Sequence, residues 1–224
     1  GSGWRLIVFT RYPEPGEAKK RLIPALGPEG AADLHRSMTE HVLHRARRFL
    51  ASRPVSLQVH YQGGNEERMR QWLGADLPMV PQARGDLGRR MDQAFSESFR
   101  QGMGRVVLAG SDIPGIRPAH LERAFSALKD KDVVIGPAED GGYYLIGLRR
   151  RAPGLFYGIP WGTGEVLKRT LNAAEQSNFR VELLERLPDV DRPEDLRIWD
   201  KETGSGDLPG ECPTLSIILP VIDE

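Results

Sequence analysis

Branched, nearly all-apolar runs alternate along this chain with stretches whose apolar residues recur every three or four positions, and this alternation limits the fold more than any other feature. The run WRLIVFT (4–10) is almost continuously apolar, as suits a strand covered on both faces. From 28 to about 51, Leu34, Met38, Val42, Ala46 and Phe49 mark one buried helix face. VSLQVHY (55–61) reads as a second strand, and a helix is expected over 65–73. Another starts near Asp86, with Leu87, Met91, Phe95 and Phe99 on one side and Gly102 and Gly104 to end it. A third strand at 105–109 leads to a helix opening near Pro118 and Ala119. DVVIGPAEDGGYYLIGL (132–148) supplies a short strand, a glycine turn and a strand over 143–148. A helix over 163–174, a strand over 180–187 and a short helix from Pro193 complete the order. The prediction is an α/β fold of three layers: an open, mostly parallel sheet with helices on both faces.

Apolar residues make up 39% and charged residues 28% of 224, enough for one globular domain and unlike a disordered chain. Lysine plus arginine number 31, as do aspartate plus glutamate, so no global basic field invites nucleic acid. The local clusters HRARR (44–48) and RRR (149–151) read as solvated faces. One cysteine, Cys212, forms no internal disulfide and no thiolate metal site alone, and the expected compartment is the cytoplasm. No apolar run approaches the roughly 18–20 residues of a membrane span. The opening Gly-Ser-Gly reads as an expression remnant.

Chemistry is expected at strand ends, because open α/β sheets hold ligands outside the carboxyl ends of their strands. Asp112, in RVVLAGSDIPGI (105–116), stands just past such an end; it either meets a ligand or shapes the turn before Pro114. The first loop, TRYPEPGEAKKRL (10–22), sets Lys19, Lys20 and Arg21 near Gly16, a combination suited to a polyphosphate. It has neither the P-loop nor the G-x-G-x-x-G spacing. LPDVDRPEDL (187–196) carries Asp191, which is either a helix cap or, with Asp112, a site for a hard divalent cation bridging phosphates. GPAEDGGYYLIG (136–147) places Asp140, Gly141, Gly142 and Tyr143 in a hairpin turn or on a pocket floor, and IPWGTGEVL (159–167) adds Trp161 and Thr163.

Taken in order, FTRYPEPGEAKKRL, GDLGRRM (85–91), GSDIPGI (110–116), GPAEDGGYYLIGL and DVDRPEDL resemble the nucleotide-diphospho-sugar transferase superfamily, whose fold is termed GT-A. More narrowly, the chain is similar to a bacterial family labelled an arsenosugar-biosynthesis glycosyltransferase, over about 6–196. Lys19 and Arg21 match that family's pattern P-x-P-G-x-x-K-x-R-L, while Lys20, Ser111, Ile113 and Gly162 depart from its usual residues. The resemblance implies Lys19, Arg21 and Asp112 as catalytic residues and Mg²⁺ or Mn²⁺ at Asp112 and Asp191. It further implies nucleotide binding by Thr10, Arg11, Gly16, Lys19, Arg21, Gln82, Gly85, Asp86 and Ser111, with an acceptor over Asp140, Gly141, Gly142, Tyr143, Trp161 and Thr163.

Two reactions suit this scaffold. The first loop is similar to that of 2-phospholactate guanylyltransferase-like enzymes and favours nucleotidyl transfer from a nucleoside triphosphate to a small phosphorylated acceptor. The family label favours glycosyl transfer from a nucleotide sugar, although the superfamily's D-x-D pattern is absent at Asp112, since Gly110 stands two places before it. A reading of another class is a non-catalytic binding module on the same fold. The domain is expected over 1–203, with a Gly/Pro-rich linker in 204–224 ending in TLSIILPVIDE. That ending is either a terminal edge strand or, by resemblance to a family 2 glycosyltransferase, the first strand of a fused second domain.

Overall fold

A computed structural model describes residues 3–51 and 53–204. The expected linker and strand beyond 204, and Cys212, lie outside the described residues. Among the described residues the strands are β1 (Gly3–Arg11), β2 (Val55–Gln62), β3 (Met79–Pro81), β4 (Met103–Gly110), β5 (Val133–Pro137), β6 (Tyr143–Leu148) and β7 (Val181–Leu183). They join one sheet in the order β3-β2-β1-β4-β6-β5-β7. β1 pairs parallel with β2 and β4, β2 with β3, and β5 with β7. β6 runs antiparallel to both β4 and β5. The three-layer, mostly parallel α/β expectation therefore holds, with one reversed strand in the interior of the sheet.

The strands read as apolar runs because both faces are covered. On β1, Leu6 and Val8 enter one core while Ile7 and Phe9 enter the other; Val107 and Val106 on β4 divide the same way. The helices α1 (Ile23–Leu50), α2 (Glu66–Leu73) and α4 (Pro118–Ala127) cover the first face through Val42, Phe49, Met69 and Phe125. The opposite face is closed by α3 (Leu87–Arg100) and α5 (Val166–Gln176) through Met91, Phe95 and Ala174. Phe125 stacks between Phe49 and Trp4 at centroid distances of 5.6 and 5.5 Å. No described helix is long and apolar enough to cross a membrane.

Some boundaries differ from expectation. α1 begins at Ile23, but Gly27 at φ 70° and ψ 168° kinks it just before Pro28, so the regular helix opens where the proline predicted. The strand expected over 180–187 is shorter, at Val181–Leu183, with a separate bridge from Leu187 to Ala138. β3 has three residues and no sequence signal of its own; its pairing with Val59–Tyr61 makes it a strand.

A third, smaller core does most to build the site. Leu22, Ala31, Leu34, Met38 and Val190 pack together, joined by Leu196, Ile198 and Trp199, the last three on α6 (Leu196–Thr203). This cluster binds the loop after β1 to the extended segment before α6. Val190, fully buried, also donates its N–H to the Asp112 carbonyl at 3.1 Å. Three chain segments thus meet at the carboxyl ends of β1 and β4.

Candidate active site

A cleft of about 760 Å³ opens there, lined by residues from the strand ends of β1, β4, β5 and β6 and from the loops that follow. Lys19 is among the residues that line it. Its backbone is left-handed, φ 49° and ψ 49°, a conformation that costs a non-glycine residue about 1–2 kcal/mol. The compensation is electrostatic. The ammonium donates to the Val190 carbonyl at 2.6 Å and lies 3.1 Å from Asp112 Oδ2 and 3.8 Å from Asp191 Oδ1. Arg21 adds a contact to the other Asp191 oxygen at 2.5 Å. The Lys19 side chain is 5% exposed, so these contacts form largely out of water, whereas Asp112 at 48% and Asp191 at 34% still face the cleft.

These pairings show what each aspartate side chain meets within the protein. The Asp191 carboxylate does not cap the helix that follows, which opens after Arg192; the Asp195 carboxylate reaches back from it to the Asp191 and Arg192 N–H groups at 3.1 and 2.8 Å. Burial pushes the Asp112 carboxyl up, but the Lys19 ammonium, through its charge and its hydrogen bond, outweighs it, and the net result lies below the ordinary aspartate value. Asp112 is therefore held as an anion. Both carboxylates turn hard oxygen donors toward one point now faced by a cation, which fits a divalent ion of the Mg²⁺ or Mn²⁺ kind. Among the described residues no three His, Cys, Asp or Glu side chains form a metal cage, so phosphate and water oxygens would have to complete the shell, as Mg²⁺ prefers.

Beneath Asp112 lies a buried polar chain. Ser111 Oγ donates to Thr10 Oγ1 at 3.2 Å, and Thr10 Oγ1 lies 2.9 Å from Thr39 Oγ1. His35 Nε2 sits 3.0 Å from the Arg11 carbonyl, which makes it the protonated nitrogen; Nδ1, without a hydrogen-bond partner, lies 3.9 Å from Asp112 Oδ1. Burial, opposed by Asp112, lowers the His35 pKa, so the ring is neutral. His35 is a cleft residue that sequence reasoning missed, because on α1 it reads as part of the buried stripe.

On the far side, Asp140 accepts from the Gly142 N–H at 2.8 Å and shapes the β5–β6 turn. Tyr143 and Trp161 meet edge to face at 6.3 Å, and Thr163 donates to the Pro160 carbonyl at 2.8 Å. Asp189, also missed, lines the same wall; burial and then the neighbouring Asp140 raise its pKa to about 6. Its signal was present in the sequence, since D-V-D in an extended segment puts Asp189 and Asp191 on one side and Val190 on the other.

Of the expected residues, Thr10, Arg11, Lys19, Arg21, Ser111, Asp112, Asp140, Gly142, Tyr143, Trp161, Thr163 and Asp191 line the cleft together. Five do not. Gly16 sits at φ 82° in the first loop, and Gly85 at φ 118° leads into α3. Asp86 caps α3, accepting from Arg89 N–H at 2.8 Å. Gly141, at φ 88°, is pressed against Gly164 so closely that a Cβ would lie 2.3 Å from its carbonyl oxygen. Gln82 donates to the Thr10 and His60 carbonyls at 3.2 and 3.0 Å and accepts from Arg90 at 2.7 Å, which engages its whole amide within the protein. Arg90, in turn, lines the cleft and was not foreseen.

Residues 45–163 match the family described as "Uncharacterized protein conserved in bacteria (DUF2064)". A structure of a proposed nucleotide-diphospho-sugar transferase from Desulfovibrio desulfuricans G20 is 35% identical, with a TM-score of 0.84 over 92% of this chain and 90% of that one. The 2-phospho-L-lactate guanylyltransferase of Methanopyrus kandleri is 35% identical over 96 residues, which span 42% of this chain and 48%, about half, of that protein. The inositol-1-phosphate CTP transferase of T. maritima shares the fold alone, with a TM-score of 0.54 at 15% identity over 91% of this chain and 96% of that one. With its GT-A-like sheet and strand-end cleft, the chain belongs to the DUF2064 family.

Proposed function

We propose that this protein is a divalent-metal-dependent transferase that uses a nucleotide, moving a nucleotidyl group from a nucleoside triphosphate to a small phosphorylated acceptor. One observation carries the reading: two carboxylates from separate strand ends, Asp112 and Asp191, converge on Lys19 in one cleft that also holds Arg11 and Arg21. Cations and carboxylates interleaved at a strand-end cleft suit a polyphosphate with a divalent counter-ion. The names of the Methanopyrus and Desulfovibrio relatives, a guanylyltransferase and a proposed nucleotide-diphospho-sugar transferase, support a nucleotide-using transferase.

In the proposed reaction an acceptor phosphate oxygen attacks the α-phosphorus, forming a new P–O bond as the bond to the β-phosphate bridge breaks and pyrophosphate leaves. Lys19 and Arg21 hold phosphate oxygens and neutralise charge on the leaving group. Asp112 and Asp191 would hold the divalent ion, which supplies Lewis-acid chemistry when bound. Asp140, Tyr143, Trp161 and Thr163 form the wall for the acceptor. That wall carries Asp140 and Asp189, so the acceptor phosphate must turn toward the Lys19 end.

Glycosyl transfer is the second reading, favoured by the Desulfovibrio relative's description and by the crossed Tyr143 and Trp161 rings, which suit a sugar face. Calorimetric titration with nucleoside triphosphates and nucleotide sugars, with and without Mg²⁺, separates the two. Tighter metal-dependent binding of triphosphates is expected, and tighter binding of nucleotide sugars would overturn it. Asp112→Asn should abolish the metal-dependent component; if the variant binds as the parent does, the metal assignment fails.

A further inference from the structure

We propose that Arg90, clamped by Gln82, is the residue that reads the nucleobase, and that it selects a base with two adjacent hydrogen-bond acceptors on one edge, such as guanine or cytosine, over adenine. This rests on the nucleotide reading above and adds to it the choice of base. Gln82 is among the residues expected on the nucleotide, yet its amide is closed off. Both donors go to backbone carbonyls and its oxygen to Arg90.

The result is a guanidinium held in a fixed plane. Arg90 donates Nε–H to the Asp86 carbonyl at 3.2 Å and one Nη1–H to Gln82 Oε1 at 2.7 Å, so three of the five guanidinium N–H groups remain for the cleft that Arg90 lines. Its bonds go to a carbonyl and an amide, and neither neutralises its charge. Burial and the nearby Arg11 charge lower its pKa, opposed by Asp86. The clamp is rigid at both ends. Asp86 caps α3, and Gly88 is packed so tightly that a Cβ there would lie 2.5 Å from the Phe156 carbonyl oxygen.

The surroundings suit a base better than a phosphate. Phe9 and Leu87 line this end of the cleft with apolar surface, and Gln62 adds an amide. Lys19 and Arg21 are gathered around Asp112 and Asp191, and Arg11, the cation nearer Arg90, is turned to Glu17, donating to its carbonyl at 3.0 Å and lying 3.9 Å from its carboxylate. A guanidinium edge pairs in plane with two adjacent acceptors, O6 and N7 of guanine or O2 and N3 of cytosine; adenine offers N7 beside an N6 donor and leaves one N–H opposed.

The test is calorimetric binding of GTP, CTP, ATP and inorganic tripolyphosphate with Mg²⁺ to the parent protein, Arg90→Met and Arg90→Lys. Lys19→Met serves as the phosphate control. The parent should bind GTP or CTP about ten- to a hundredfold more tightly than ATP, and which of the two leads identifies the base. Arg90→Met should bring the nucleotides to within about threefold of one another while tripolyphosphate affinity stays unchanged. Arg90→Lys, which keeps the charge without the fork, should level them too if the methionine variant folds poorly. Equal GTP, CTP and ATP affinities in the parent would overturn the assignment of Arg90 alone. So would an Arg90→Met variant whose tripolyphosphate binding falls with its nucleotide binding. A parent that binds no triphosphate, tripolyphosphate included, would overturn the nucleotide reading itself.

Discussion

His60 shows how one buried side chain ties the stability of the fold to solvent pH. It is 5% exposed, stacks on Phe9 at 5.7 Å and sits 3.1 Å from the Gln58 side-chain oxygen. Burial, aided by the Arg5 charge, pulls its pKa down to about 4. A histidine whose folded pKa lies below its unfolded value of about 6.5 makes the unfolded state bind more protons between those values. Its contribution is thus complete above about pH 6.5 and is lost as pH falls toward 4, at most about 3 kcal/mol. Urea unfolding of the parent and of His60→Phe across pH 4–7 should show a slope in the parent that flattens in the variant; parallel curves would contradict the burial argument. Residue-scale chemistry was partly legible in sequence. Asp112 and Lys19 stood out because they lie in loops that follow apolar strands, where an α/β sheet holds ligands, although position alone left Asp112 between a ligand contact and a turn. The part played by Arg90 was not legible, and Gln82, expected on the nucleotide, spends its amide on carbonyls of β1 and β2 and on Arg90, partners that meet only in the folded sheet.

At the scale of elements, the β5–β6 hairpin and the segment before α5 are one unit. The Leu167 N–H bonds the Gly141 carbonyl at 2.9 Å, and Gly141 abuts Gly164. A methyl group at Gly141 meets both a left-handed φ of 88° and backbone 2.3 Å away, where nothing flexible can yield. Gly141→Ala should therefore lower stability by about 1–3 kcal/mol by chemical denaturation and weaken acceptor binding more than nucleotide binding. A variant with unchanged stability would show that the two loops are not coupled. The hairpin itself was readable from its glycines and flanking branched residues. That β6 inserts antiparallel between β4 and β5 was not, because strand order is set by pairing between segments distant in sequence, which local spacing does not encode. β3 escaped notice for the same reason, as three residues carry no periodicity of their own.

At the scale of the whole molecule, a ligand that binds only the folded state raises stability through mass action. If the cleft binds a magnesium nucleoside triphosphate only when folded, a ligand concentration a hundred times its dissociation constant adds about 2.7 kcal/mol, or roughly 5–10 °C in the unfolding midpoint for a domain of this size. Scanning calorimetry should show that rise in the parent and not in Asp112→Asn, and equal midpoints would count against a shared metal and nucleotide site. What the sequence alone determined was periodicity: which runs are strands, which faces are buried, and that polar loops follow strand ends. Local backbone preference and apolar spacing are encoded within a dozen residues, so they need no partner to be read. The tertiary structure decided the pairings, above all that Lys19 reaches the Val190 carbonyl across 171 positions of chain and finds Asp112 and Asp191 beside it. The packing of Leu22 against Val190 in a shared core sets that meeting, and contact between segments so distant in sequence exists only once the chain has folded.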